Sequence, residues 1–288
     1  MRKRVLLATV AAGLTLATTG VAHAADGAIY DAIPDPLPGN VPSLGFQATS
    51  TSAVGDLIQI SGSDRDLDSV TVTMSSWACE EGSWNTTCTT TPGATFPHPV
   101  ALSLYNVGEN GAVGEEITSV EQTFEMPYRP SPTEECSDGG WWSQADGSCM
   151  NGLAFNVTFD MRDANVSLPD EFIYAISYNT QSYGANPLGV DGPYNSLNVG
   201  LNTDAAAPYA GVDVDPDVIY WDSTYLGRAP GLNPDSGWTG YTPAVRFSAV
   251  PSGPTTADEC KNGGFEAFGF ANQGQCVASV NANERAGK

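Results

Sequence analysis

Apolar and polar residues alternate with a period of two along much of the chain, and this alternation predicts the fold. The clearest stretch is 153–161, where Leu153, Phe155, Val157 and Phe159 would lie on one face and mostly polar residues on the other. Such alternation is typical of a β-strand with one buried and one solvated face. Further strands are predicted at residues 45–48, 57–60, 70–74, 100–104, 120–124, 172–178, 197–201 and 245–247.

The predicted strands are separated by clusters of Gly, Pro, Asn and Asp, and no helical period is visible before residue 255. One-sided alternation indicates antiparallel sheets that pack face to face. The sequence therefore predicts an all-β protein, an antiparallel β-sandwich of jelly-roll type with long disulfide-stapled loops. A β-propeller would need a repeat of about 40–50 residues, and the sequence contains none.

The composition changes after Val250, where a stretch rich in Pro and Gly predicts a linker. Thr256 and Glu259 have the spacing of a capping box, so a short helix is expected to begin there and to end at Gly263. A second helix is predicted from Gln275. The expected organisation has three segments: a signal peptide at 1–24, a β-sandwich at 25–250, and a linker with a small disulfide-tied helical tail at 251–288.

The N-terminus has three basic residues at positions 2–4, an apolar stretch at 5–21, and the sequence Ala22-His23-Ala24. This order is typical of a secretory signal peptide with its cleavage site, so we expect a secreted, extracellular protein. No later segment has the ~18 consecutive apolar residues that a transmembrane helix needs. No membrane-spanning segment is therefore expected after cleavage.

An even number of cysteines in an exported chain predicts disulfide bonds. The chain has six cysteines, for which fifteen pairings are conceivable. The short spacings favour pairs of sequence neighbours. The expected disulfides are Cys79–Cys88, Cys136–Cys149 and Cys260–Cys276.

The charge of the chain excludes several classes of partner. It has 33 acidic and 11 basic residues and a formal net charge of −22, which would repel phosphate backbones and anionic lipids. Nucleic acid is therefore not expected as a partner. Of the two histidines, only His98 remains after the predicted cleavage. Because a Ser–His–Asp triad needs a histidine as proton shuttle, and His98 lies between two prolines at the start of a strand, no catalytic residue is assigned.

Two clusters of alternating aspartates are candidates for binding a hard cation. Asp213, Asp215 and Asp217 form the stronger one, and Ca²⁺ is the expected ion because it prefers carboxylate and carbonyl oxygens. The other, at 64–68, contains Arg65, which is expected to neutralise part of its charge. The alternative for both is turn formation, in which Asp side chains accept hydrogen bonds from nearby backbone amides. No cofactor is required by any motif.

Long loops rich in aromatic residues interrupt the predicted strands. Rings on such loops can stack on the apolar faces of sugars, or they can fill small local cores, which is the simpler interpretation. The rings considered as ligand-binding candidates are Trp77, Trp84, Trp141, Trp142, Tyr183, Tyr194, Trp221 and Trp238.

The sequence thus favours an exported non-catalytic protein, with binding of a glycan or another cell-envelope component by its aromatic loops as the candidate activity. The alternative is a carboxylate-dependent carbohydrate-active enzyme, which needs two carboxylates at a set separation. A chain with 33 acidic residues offers many such pairs, so the sequence does not single one out.

Several stretches resemble an exported bacterial family of β-sandwich proteins that has no assigned activity. The similarity covers 29–247 and rests on the stretches at 42–50, 69–77, 91–95, 127–130, 194–201 and 213–216. The tail, with its Cys260-Lys-Asn-Gly-Gly and Phe268-Gly-Phe-Ala-Asn-Gln-Gly-Gln-Cys276 sequences, is similar to a short ending found on various exported bacterial proteins. The resemblance implies export and a β-sandwich.

Overall fold

The computed structural model describes residues 27–84, 87–179, 197–250, 253–254 and 256–286. The strands in this part of the chain are, in order, β1 (Ala28–Asp31), β2 (Ser43–Leu44), β3 (Thr51–Gln59), β4 (Leu67–Ser76), β5 (Thr95–Val107), β6 (Val113–Pro127), β7 (Trp141–Ser143), β8 (Ser148–Met150), β9 (Leu153–Asp160), β10 (Glu171–Ser177), β11 (Leu197–Asn202), β12 (Val212–Asp213), β13 (Val218–Ser223), β14 (Asn233–Ser236), β15 (Thr242–Pro243) and β16 (Val245–Ala249). One α-helix, α1 (Gln273–Ala286), follows in the tail.

The strands form two antiparallel sheets and a separate hairpin. The first sheet has the order β1-β16-β4-β11-β15, with β2 paired to β11 and β9 paired to β4. The second has the order β14-β13-β3-β10-β5-β6, with β12 paired to β3, and the hairpin is β7-β8. Phe172 of the second sheet and Phe247 of the first are both buried, with ring centroids 5.2 Å apart. The predicted all-β antiparallel sandwich is therefore confirmed.

One short predicted strand is wrong. Residues 46–50 form a turn, and the strand before it is β2. The N–H and the hydroxyl of Thr49 both donate to the Gly45 carbonyl, at 3.0 and 2.8 Å. Local hydrogen bonds of this kind compete with strand pairing, because they satisfy the backbone without a partner strand.

Two segments that the sequence indicated as loops contain strands. The 128–152 segment forms the β7-β8 hairpin, and the 208–241 segment contains β12, β13 and β14. In β13, Ile219, Tyr220 and Trp221 are all buried, so this strand lacks the one-sided alternation by which the others were found.

The edge of β3 is shared by two short strands with a gap between them. β12 pairs with Gln59 and Ile58, whereas β13 pairs from Gly55 to Thr51. Asp56 and Leu57 lie in the gap. The Leu57 carbonyl accepts a hydrogen bond from the Val214 N–H, just after β12, at 3.2 Å. This interruption opens the edge of the sandwich at Asp56.

The tail has its own small core. The disulfide-bonded Cys260 and Cys276 and the side chain of Val280 are buried together, with three phenylalanines packed around them. The predicted first helix is wrong, because residues 256–263 form turns, although the Thr256 N–H does bond the Glu259 carboxylate at 3.2 Å. The predicted second helix is confirmed as α1, which begins two residues earlier than expected.

All three predicted disulfides are confirmed: Cys79–Cys88, Cys136–Cys149 and Cys260–Cys276. No helix in the described ranges is long and apolar enough to span a membrane.

Candidate functional site

Three of the predicted ring residues come together beside the first sheet. The rings of Trp77 and Trp84 are in edge-to-face contact, with centroids 4.9 Å apart. Gly152 lies between Trp77 and Trp141: its carbonyl accepts a hydrogen bond from Trp141 Nε1 at 2.9 Å, and a Cβ there would lie 2.8 Å from Trp77 Nε1. We refer to Trp77, Trp84 and Trp141 as the tryptophan cluster; each is half-buried. Trp142 follows Trp141 in β7, so its side chain lies on the opposite face of the hairpin.

The loops that present the tryptophan cluster are crosslinked. Trp84 lies inside the loop closed by the first disulfide, and Trp141 and Trp142 lie inside the loop closed by the second. Arg129 joins the two loops: its Nη1 donates to the Trp84 carbonyl at 3.1 Å and its Nη2 to the Gly139 carbonyl at 2.6 Å. The cluster is thus held by covalent and hydrogen-bonded links at once.

Arg129 was not predicted as a functional or structural residue. Its side chain is fully buried, and Nε donates to the Pro130 carbonyl at 3.1 Å, so each of its three nitrogens has a carbonyl acceptor. Burial lowers the pKa of Arg129 to about 10, which leaves the guanidinium charged at neutral pH. The burial of Arg129 is hard to recognise from the sequence. A buried arginine usually has a carboxylate partner, whereas this one is bound by backbone carbonyls.

Asn40 and Ser75 add polar groups beside the tryptophan cluster, and the sequence did not indicate them. Ser75 Oγ donates to Asn40 Oδ1 at 2.7 Å, and both atoms border Gly152. A larger residue at position 152 would collide with Ser75, Asn40 and Trp77 together. A glycine at this point therefore lets the rings and the amide approach one another closely.

Trp221 and Trp238 form a separate pair in which the rings pack against the sandwich. Trp221 belongs to the core, and its Nε1 donates to Thr51 Oγ1 at 2.7 Å. Trp238 contacts it edge to face at 5.8 Å, and the Arg228 guanidinium lies 4.8 Å from the Trp221 ring. Burial in the core supports the packing interpretation for Trp221. Tyr183 and Tyr194 lie outside the described residues.

His98 is buried beside Tyr178, with ring centroids 6.0 Å apart. Burial lowers its pKa, while a hydrogen bond with the Asn179 backbone acts in the opposite direction. The lowered pKa makes the imidazole neutral near pH 7, in keeping with a packing role.

The three aspartates of the predicted calcium site face different surroundings. Asp217 is exposed, and the N–H of Thr239 donates to its carboxylate at 3.3 Å, as does the Thr239 hydroxyl. These bonds lower the pKa of Asp217 and are the turn chemistry that the alternative interpretation expects. Asp215 is exposed and Asp213 is half-buried. Within the described ranges, no group of three or more His, Cys, Asp or Glu side chains could hold a metal ion.

The Asp213 carboxyl is hydrogen-bonded to the Asp215 backbone and the Thr242 side chain, and its charge acts on a buried carboxyl that the sequence did not indicate, Asp56 of β3. Burial raises the pKa of Asp213 to about 6, and burial with the nearby charge of Asp213 raises the pKa of Asp56 well above its usual range. Asp56 Oδ1 accepts from the Leu57 N–H at 2.9 Å. Asp56 is the one charged residue of β3, and this was its only sequence indication.

The other acidic cluster is neutralised differently from the expectation. Arg65 donates to the Asp170 carboxylate at 2.7 Å, and its Nη1 also donates to the Asp64 backbone carbonyl at 2.9 Å. Cavities of about 320 and 300 Å³ border Asp66 and Asp68, and Arg162 lines both. Hydrogen bonds from Arg162 lower the pKa of Asp160 in the second cavity to about 2, so this carboxylate is a poor proton donor near pH 7.

No protein-family model matches the sequence. A search of curated proteins finds no similar sequence either.

Proposed function

We propose that this chain is an exported, non-catalytic protein that binds a glycan through the tryptophan cluster. One observation supports this above the others: the half-buried indole rings of Trp77, Trp84 and Trp141, from separate segments, lie together beside loops that two disulfides and Arg129 hold together. Indole faces stack on the apolar faces of sugar rings, and the neighbouring Asn40 amide is a hydrogen-bonding group suited to hydroxyls.

The crosslinked loops would reduce the entropic cost of binding. A ring that is already fixed loses little freedom when a ligand stacks on it, so more of the contact energy contributes to affinity. The Trp141 indole is fixed by its bond to the Gly152 carbonyl and the Trp84 ring by its contact with Trp77. A surface of this kind is suited to reversible binding of a repetitive polymer such as a cell-envelope glycan.

Export is part of the same proposal. Three disulfides are typical of proteins that fold in an oxidising compartment, and the N-terminal sequence has the order of a signal peptide. Membership of the exported bacterial family that the sequence resembles would agree with this location.

The enzymatic alternative has a weaker basis. A cavity of about 240 Å³ is lined by two carboxylate residues, Asp56 and Asp215, as a glycosidase would require. Asp56, however, is only 2 % exposed and lies in register with the interior residue Tyr174, so its carboxyl has little access to a saccharide. We therefore favour binding without catalysis.

A glycan array with the purified protein tests the proposal. We expect binding to a limited set of saccharides, and a loss of affinity of at least about tenfold, or ~1.4 kcal/mol, on Trp84→Ala or Trp141→Ala. Tyr241→Ala removes an exposed ring outside the cluster and is the matched control, with unchanged affinity expected. Thermal melts of each variant separate loss of binding from loss of folding.

Two outcomes would contradict the proposal. One is the absence of saccharide binding by the folded wild-type protein, and the other is an equal loss of affinity in the control and the cluster variants. Release of reducing sugar from a bound glycan, abolished by Asp56→Asn, would instead establish the enzymatic alternative.

A further inference from the structure

Four side chains near β12 each have one buried oxygen atom without a hydrogen-bond partner among the described residues, although the other oxygen of Asp56 and the rest of the Asp213 carboxyl are hydrogen-bonded. Tyr30 and Tyr174 are fully buried, Asp56 is 2 % exposed, and Asp213 is half-buried. The Tyr30 and Tyr174 hydroxyls, Asp56 Oδ2 and Asp213 Oδ1 are buried atoms that have no hydrogen-bond partner in the described part of the protein. Because buried polar atoms are nearly always paired, four unpaired oxygens in one place indicate a missing ligand.

The strand register brings three of these side chains, Asp56, Tyr174 and Asp213, together. Asp56 pairs directly with Tyr174 across β3 and β10, so their Cβ atoms are about 4.5–5.5 Å apart on the same face. Asp213 pairs with Ile58, which is two residues from Asp56, and this diagonal relation places their Cβ atoms about 7–8 Å apart. Burial raises the pKa of both Tyr30 and Tyr174, and the nearby charges of Asp56 and Asp213 raise it further.

Tyr30 belongs to β1 of the first sheet, and its side chain lies near Asp56 and Asp213. It packs against the backbone of Gly211, where a Cβ would lie 2.7 Å from the Tyr30 ring and 2.7 Å from the Gln59 carbonyl. The chain before β12 therefore joins β1 to β3 and closes the sandwich beside Asp213. Gly211 has a φ of +74°, so this close passage of the backbone depends on glycine.

Among the described residues, the charged groups around these oxygens leave the carboxylates without a counterion. Arg246 is bound by the buried Asp31, at 2.9 Å, and the other ionisable neighbours in this part of the chain are Asp215 and Tyr220. Neutralisation must then come from protons or from a bound cation. A proton shared between Asp56 and Asp213 would neutralise only one of the two carboxylates, whereas a divalent cation matches the charge of both. The oxygen ligands of a calcium ion typically lie about 2.3–2.6 Å from the ion and do not hydrogen-bond one another. Oxygens without hydrogen-bond partners are therefore compatible with a bound calcium ion.

An access route leads to Asp56. The cavity of about 240 Å³ lies at the gap between β12 and β13, and its lining includes Asp56, Leu57 and Asp215. A cation could enter here past the exposed Asp215, whose carboxylate would attract it.

We propose that Asp56, Asp213, Tyr30 and Tyr174 form a binding site for a hard divalent cation, of which Ca²⁺ is the representative, between the two sheets. The two carboxylates match the charge of the ion, the two hydroxyls add neutral oxygen ligands, and water admitted through the cavity completes its coordination. Through its ligands the ion links β12 and β1 to β3 and so stabilises the edge of the sandwich.

Thermal melting of the full chain in EGTA and in CaCl₂ tests the site, with MgCl₂ as a second ion. We expect the midpoint at pH 7.5 to rise by about 5 °C when Ca²⁺ exceeds its Kd a hundredfold. Asp56→Asn and Asp213→Asn should each abolish this rise. Asp217→Asn, an exposed carboxylate in the neighbouring turn, is the matched control and should retain it.

Calorimetric titration with Ca²⁺ supplies an independent measurement. Because both carboxyls must lose their protons to bind the ion, the affinity should fall at least about tenfold between pH 7.5 and pH 5. A wild-type midpoint that neither ion shifts would overturn the proposal and leave a protonated carboxyl pair with water. Loss of the shift in Asp217→Asn, with retention in Asp56→Asn, would place the ion in the predicted 213–217 cluster instead.

Discussion

Two buried charged regions of this protein differ in whether their polar atoms are satisfied. The Arg129 guanidinium is fully buried and donates to the backbone carbonyls of Pro130, Trp84 and Gly139. The carboxyls of Asp56 and Asp213 are also withdrawn from water, yet each has an oxygen with no partner in the described ranges.

The difference separates a structural role from a binding role. Arg129 completes its own hydrogen bonds within the chain, so it needs nothing further and stabilises the loops that it joins. Burial and the charge of Asp213 raise the pKa of Asp56, and burial raises the pKa of Asp213, so a proton or a bound cation would stabilise both carboxyls. Removing a satisfied charge should therefore destabilise the protein, whereas removing an unsatisfied one should stabilise it unless its ligand is present.

The largest expected effect is at Arg129. Arg129→Met keeps much of the side-chain volume but removes three charge-assisted hydrogen bonds, and the relief of guanidinium desolvation offsets only part of this loss. We expect the free energy of unfolding in urea to fall by about 3 kcal/mol. Arg162→Met removes an exposed guanidinium and should change stability by less than about 1 kcal/mol. Equal effects of the two variants would show that the three carbonyl bonds add nothing.

The second effect is at Asp56 and has the opposite sign in EGTA. Because the pKa of Asp56 is raised in the folded protein, the folded state holds a proton that the unfolded chain releases above about pH 4. The free energy of unfolding must then fall as the pH rises from 4 toward the folded-state pKa. Asn cannot titrate, so Asp56→Asn should weaken this slope and stabilise the metal-free protein at pH 7 by about 1 kcal/mol, the usual size of a single-site effect.

Urea unfolding in EGTA at several pH values between 4 and 8 measures this slope. The remaining slope should lie mainly between pH 4 and 6, where Asp213, with a pKa of about 6, loses its proton. A wild-type free energy of unfolding that does not change between pH 4 and 8 would contradict the raised pKa values. Asp56 would then not differ from Arg129 in the way described above.

The smallest effect is expected in the tail, which should be independent of both regions. The Val250 N–H still bonds the Asp66 carbonyl of the sandwich at 2.8 Å, and the tail beyond it has a core of its own. A shortened chain that ends at Ser252 should melt within about 3 °C of the full chain. A lower midpoint, or loss of the pH slope, would mean that the tail packs on the sandwich and is not a separate segment.

The strands and the disulfides followed from the sequence to different extents. Residues 153–161 show two faces in the sequence because one side of β9 is buried and the other is wet. β13 has no such faces, since Tyr220 and Trp221 point to opposite sides and both are covered. The spacing of the cysteines predicted their pairing, because short loops bring neighbours within bonding distance.

The candidate sites could be predicted from the sequence less well than the strands and disulfides. The tryptophans were found by their type, yet the sequence did not distinguish the half-exposed Trp84 from the core residue Trp221. Asp213 was found as one of three alternating carboxylates. Its nearest relevant neighbour, Asp56, lies more than 150 positions earlier, and only the pairing of β12 with β3 brings the two to one face.

The sequence by itself determined what local chemistry controls: period-two strands, turns at Gly, Pro and Asp, and neighbouring disulfides. Only the tertiary structure decided which polar groups became buried and which of them found partners. Arg129 and Asp56 are each a single charged residue among apolar neighbours in the chain, and nothing local distinguishes them. Arg129 is satisfied and Asp56 is not, because the Trp84 and Gly139 carbonyls near Arg129 and the Asp213 carboxylate near Asp56 come from other segments of the chain. Burial makes that difference costly, since water is no longer available to replace a missing partner.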